Sequence, residues 1–155
     1  MKTLLLLLFT ALSLSLNAQV DGVGINTDDP QSTLDINGNL SVKHVTLTGS
    51  GTATIIDDGV YLSINPTLTN QEFRLPDATL FPGRIYILRN ITNGIDALIT
   101  TTGTDPTAGV GVEFFAGDNS TSGTKTVTLA GNDITTKTLI FISDGSNWTY
   151  GFLGF

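Results

Sequence analysis

Apolar and polar positions alternate along most of this chain, and the period is two. In Gly59–Asn65, Val60, Leu62 and Ile64 share one face, while Tyr61 and Ser63 share the other. In Thr124–Ala130, Val127 and Leu129 point inward and Thr126 and Thr128 outward. A strand with one dry and one wet face is the habit of antiparallel sheets. The pattern predicts strands at Leu40–Thr48, Thr52–Asp57, Gly59–Asn65, Gln71–Leu75 and Arg84–Ile91. More are predicted at Asp96–Thr102, Val110–Phe115, Thr124–Ala130, Thr136–Ser143 and Asn147–Leu153. Gly49-Ser50-Gly51, Asp58-Gly59, Asn93-Gly94, Gly131-Asn132-Asp133 and Asp144-Gly145 separate them. Asn-Gly and Asp-Gly tolerate the positive φ that tight hairpins demand. Pro66, Pro76, Pro82 and Pro106 fall in the gaps, where a missing N–H does no harm.

Two runs break the alternation. Arg84–Ile91 sets Ile85, Ile87 and Ile91 against Tyr86 and Leu88, and Thr138–Ile142 sets Leu139 and Phe141 against Ile140 and Ile142. A strand apolar on both sides needs two covers. The second is either a neighbouring subunit or the rest of a two-sheet sandwich, and pattern alone does not separate these.

The first residues follow a different rule. Lys2 precedes the apolar run Leu4–Leu8, Phe9, Ala11, Leu12, Leu14 and Leu16, which closes on Leu16-Asn17-Ala18 before Gln19. A basic start, a short apolar stretch and a small residue at the cleavage position read as a Sec-type signal peptide over residues 1–18. The run is shorter than the roughly 20 residues a membrane-spanning helix needs, and no Cys follows it for a lipid anchor. The expected location is therefore secreted or cell-surface, with no membrane span once the signal is removed. Division of the chain is expected as 1–18 signal, 19–40 an N-terminal motif and 41–155 a β-rich domain.

Composition narrows the chemistry. With Cys 0, the disulfides that commonly reinforce small exported domains are absent, so packing, bound metal or self-association must supply the stability. The net charge of −7, seven Lys plus Arg against fourteen acids, disfavours nucleic acid as a partner. The single histidine, His44, sits at an outward strand position with no Gly-x-Ser-x-Gly elbow anywhere, so no catalytic triad is expected and the chain reads as a non-enzyme. Glu72 and Glu113 are available as carboxylates for glycoside chemistry, but most Asp residues lie in turns. Asp118-Asn119-Ser120 and Asp144-Gly145-Ser146-Asn147 cluster oxygens that suit Ca²⁺, yet neither has a calcium-loop spacing, and plain turns are the preferred reading. Gly117–Thr126 lacks phosphate-loop spacing and is followed by a strand. No cofactor or metal is expected. Trp148, Tyr150 and Phe152 line one face of the last strand. Such a row is either a sugar-stacking platform, with Trp148 and Tyr150 as binding residues, or a core or subunit-interface row.

Two segments carry a resemblance. Val23-Gly24-Ile25-Asn26-Thr27-Asp28-Asp29-Pro30-Gln31-Ser32-Thr33-Leu34-Asp35-Ile36-Asn37-Gly38 resembles the V-G-I-G-T-x-x-P-x-x-x-L-D-V-x-G motif of phage tail-fibre-like proteins and of exported bacterial surface proteins. Gly24, Pro30, Leu34, Asp35 and Gly38 keep register, and Asn26 stands where the motif has Gly, a residue type that tolerates left-handed φ. Phe73-Arg74-Leu75-Pro76, Pro82-Gly83-Arg84-Ile85-Tyr86-Ile87-Leu88-Arg89-Asn90 and Ile142-Ser143-Asp144-Gly145-Ser146-Asn147-Trp148 resemble the domain that follows such motifs. The resemblance implies a homotrimeric, fibre-like β module with no catalytic residues. The expectation is an all-β, antiparallel sandwich or prism-like domain that self-assembles as an exported structural or adhesive module. Its partners would be its own copies, a cell-surface glycan or another extracellular protein. The alternative is a lectin-like secreted protein using the aromatic strand face.

Overall fold

The computed structural model describes residues 22–107, 109–118 and 122–153, so the signal peptide expected over 1–18 lies outside the described residues. The chain divides into two compact units, Met1–Ser41 and Val42–Phe155.

In the first unit, strand β1 (Val23–Ile25) pairs in parallel with β2 (Leu34–Ile36). Residues 26–33 connect them without a helix, a short link for a parallel pair. Asn26 starts this link at φ 60, and its side-chain amide donates to the carbonyl of Asn37 at 3.1 Å. A non-glycine residue, Asn26, thus makes the left-handed turn at this position.

Among the described residues of the second unit, ten strands form two sheets. Strands β3 (His44–Thr48), β5 (Tyr61–Asn65) and β7 (Ile85–Asn90) lie parallel in a six-stranded sheet. Strands β4 (Thr54–Ile55), β6 (Gln71–Leu75) and β8 (Ala97–Thr101) lie parallel in a four-stranded sheet. The chain thus coils, visiting one sheet and then the other. The last strands reverse this sense. Strand β10 (Val127–Leu129) runs antiparallel to β8, β11 (Thr138–Ser143) antiparallel to β7, and β12 (Trp148–Phe152) antiparallel to β11. Strand β9 (Phe114–Ala116) closes the six-stranded sheet in parallel with β12. Each strand expected from alternation has a counterpart, and the domain is all-β.

The antiparallel expectation is corrected: among the described residues, six of the nine strand pairings are parallel. The turn signals are real, but they do different work. Asp144-Gly145, with Gly145 at φ 89, closes the β11–β12 hairpin. Gly59 at φ 79 and Gly94 at φ 85 instead turn the corner from one sheet to the other. A tight turn fixes local φ, not whether the chain returns beside itself or crosses to the facing sheet.

Both sheets feed one core. Leu62, Ile64, Tyr86, Leu88, Phe114, Leu139, Phe141 and Trp148 come from the six-stranded sheet; Phe73, Leu75, Ala97, Ile99, Val127 and Leu129 come from the four-stranded sheet. Asn90 is buried among them, its amide donating to the carbonyls of Ile95 at 2.7 Å and Leu129 at 2.9 Å. Its Oδ1 accepts from the Thr92 N–H and hydroxyl, so a buried polar side chain fixes the 91–96 corner with its hydrogen bonds made.

Candidate functional site

Residues 148–152 take the aromatic row out of the core by degrees. Trp148 is fully buried; Tyr150 is half-buried and stacks on Phe141 with ring centroids 6.0 Å apart; Phe152 is 54% exposed. Of the two readings of the row, sugar-stacking platform or core, the platform is corrected for Trp148, which is core. Its ring packs against Tyr86, and its indole N–H donates to the Pro76 carbonyl and the Thr101 hydroxyl, both at 3.1 Å. Trp148, at the start of β12 and under the facing sheet, fills the core with the largest apolar area a side chain can remove from water. Tyr150 and Phe152 extend past that cover.

A groove of about 310 Å³ opens where the cover ends. Leu139, Tyr150 and Phe152 supply its apolar surface, and Gly117, Asp118, Thr135 and Thr136 its polar margin. The Thr135 and Thr136 hydroxyls donate to the Asp133 carboxylate at 2.7 and 3.2 Å, which fixes their orientation and leaves them able to accept. Among the described residues, neither the Tyr150 hydroxyl nor the Asp118 carboxylate has a hydrogen-bond partner. Sequence reading singled out Tyr150 for this region, but the Thr135–Thr136 pair and Asp118 arrive from loops whose meeting depends on strand order. Asn119 and Ser120 of the acidic cluster considered for Ca²⁺ lie outside the described residues.

Elsewhere several carboxylates have local partners. Glu72 accepts from the Thr100 hydroxyl at 2.6 Å and from Arg74 Nη2 at 2.6 Å. The Thr100 bond first, then the Arg74 guanidinium, holds its carboxyl below the ordinary glutamate value. Glu113 is buried at 5% exposure and accepts from the Gly109 N–H at 2.8 Å and Lys125 Nζ at 2.9 Å. The Gly109 bond, then Lys125, lowers its carboxyl likewise. Each acid faces a cation rather than a second carboxylate. Asp144 caps its own turn, accepting from the Ser146 and Asn147 N–H groups at 2.7 Å each. Among the described residues, no three His, Cys, Asp or Glu side chains gather around a metal position.

His44 is exposed, as its outward strand position predicts, and its Nε2 shares a hydrogen bond of 2.9 Å with the Ser63 Oγ. The parallel β3–β5 register makes this pair, which the linear sequence hides. No carboxylate orients the imidazole among the described residues.

The motif residues have separable roles. A Cβ on Gly24 would overlap the Thr27 carbonyl, so the turn requires glycine there. The Asp35 carboxylate accepts from the Gln31 N–H at 2.9 Å and ties the link to β2. Pro30 is half-buried and Leu34 is 55% exposed. Gly38 has open space where a Cβ would stand. Val23 at 61% and Ile25 at 51% join Leu34 in facing solvent.

The two doubly apolar strands are neighbours. On the inner face Tyr86 and Leu88 meet Phe141 and Leu139; on the outer face Ile85 and Ile87 meet Ile142 and Ile140. The outer row is not under the second sheet: Ile85 stays 42% exposed and Ile142 39%.

Among the described residues, no helix is long and apolar enough to cross a membrane. Compared with known proteins, the chain matches no protein-family model, no curated protein and no solved structure.

Proposed function

We propose that this chain is an exported, non-enzymatic structural or adhesive module whose first unit joins it to copies of itself in a fibre-like homotrimer. The observation that carries this reading is the β1–β2 pair. Parallel pairs occur where both faces are covered, and an isolated two-stranded sheet is marginal in water. Here Val23, Ile25 and Leu34 stand more than half exposed on such a pair. Equivalent pairs from neighbouring copies are the cover that the tail-fibre-like motif implies. The outward isoleucines of β7 and β11 add apolar surface of the same kind, in keeping with a sandwich that stands in a prism-like trimer. The expected signal peptide supplies the route to the cell surface or medium.

The test is the mass of the mature chain, residues 19–155, by light scattering after size exclusion. Three copies are expected, and Ile25→Asp with Leu34→Asp should return single copies whose second unit still melts cooperatively. A wild-type mass of one copy at high concentration overturns the reading.

A further inference from the structure

We propose that the groove between β12 and the loops at 117–118 and 135–136 is a binding site for a neutral hexopyranoside. This site is independent of the self-association reading. A pyranose ring presents C–H groups on one face and hydroxyls around its rim, so it needs an apolar floor with hydrogen-bonding groups at the edge. The groove has that arrangement: the Tyr150 and Phe152 rings on the floor with Leu139, and Asp118, Thr135 and Thr136 at the margin. Its volume, about 310 Å³, lies at the small end of ligand pockets and suits one or two sugar rings.

The polar groups are poised for a ligand. The Tyr150 phenol and the Asp118 carboxylate are both unpartnered among the described residues, one able to donate and the other able to accept two hydroxyl hydrogens. The Thr135 and Thr136 donors are occupied by Asp133, which presents their oxygens as acceptors. Charge decides the sugar class. A groove that carries a free carboxylate, on a chain of net charge −7, repels uronic and sialic acids and selects uncharged sugars. The floor exists because the aromatic row continues beyond the facing sheet: Phe152 is 54% exposed although it shares the face of buried Trp148.

The test titrates ¹⁵N-labelled residues 19–155 with methyl β-galactopyranoside, methyl β-glucopyranoside and methyl α-mannopyranoside, with methyl β-glucuronide as the charged control. At least one neutral glycoside should shift the amides of Gly117, Gly151 and Phe152, and the glucuronide should not. Phe152→Ala and Asp118→Asn should each weaken binding about tenfold, the loss of one stacking or charge-assisted contact. Leu68→Ala, an exposed apolar change in another loop, should leave it unaltered. Asp118→Asn removes no packing, so it carries the test if Phe152→Ala lowers stability. No shift at millimolar glycoside, preference for the glucuronide, or binding that neither variant weakens overturns the proposal.

Discussion

The indole N–H of Trp148 donates to the hydroxyl of Thr101 at 3.1 Å, and this buried bond ties the six-stranded sheet to the four-stranded sheet. The same N–H reaches the Pro76 carbonyl, and the Thr101 hydroxyl donates to that carbonyl at 2.9 Å, so three groups satisfy one another inside the core. Trp148→Phe deletes the donor and should cost about 2 kcal/mol in urea unfolding. Trp148→Ala also leaves a cavity and should cost about 4 kcal/mol. An unmoved midpoint for Trp148→Ala would show that the ring is not in the core.

Asn90 supports the corner that leads from β7 to β8. Asn90→Leu keeps the size but removes the Asn90 bonds to the Leu129 carbonyl and the Thr92 N–H, while the Ile95 carbonyl keeps the Thr92 hydroxyl, at about 3 kcal/mol. Faster hydrogen exchange of the amides at 91–96 should accompany that loss.

Stability should fall in acid partly through Glu113. Its carboxyl is lowered in the folded state from an ordinary value of 4.5, so the folded protein binds its proton less readily than the unfolded chain. The contribution is complete above about pH 4.5 and fades as pH drops through the folded value. Wild type should therefore melt above Glu113→Gln at pH 7, and the gap should close as the pH is taken below 4.5. A gap that is constant from pH 7 to pH 3 contradicts the pairing with Gly109 and Lys125.

Two glycines of the N-terminal motif should behave differently. Gly24→Ala drives a Cβ into the Thr27 carbonyl and should abolish assembly, whereas Gly38→Ala meets open space and should preserve it. Light scattering on the two variants decides this. Equal masses would mean that the β1–β2 turn is not what joins the copies.

Alternation made the strands of the second unit legible, because inward and outward positions differ in burial wherever one face is dry. It identified Leu62, Ile64, Val127 and Leu129 as inward residues, and they are buried. The first-unit strands lay within the motif rather than within any alternating run, so periodicity did not mark them; three residues are too few to show a period. For the groove, Tyr150 was visible as part of an aromatic row, while Asp118, Thr135 and Thr136 were ordinary turn residues until the sheet order brought their loops beside β12.

What the chain determined by itself was local: which residues extend, where turns fall, and that an Asn at position 26 can adopt φ 60. The tertiary structure alone decided the pairing sense and the depth of each aromatic. Side chains alternate between the two faces in parallel and antiparallel strands alike, so a one-face-dry pattern in two facing sheets leaves the pairing sense open. A turn residue's φ is the same whether the next strand lies alongside or opposite. Trp148 and Phe152 occupy the same face of one strand, and only the extent of the facing sheet makes the first core and the second surface.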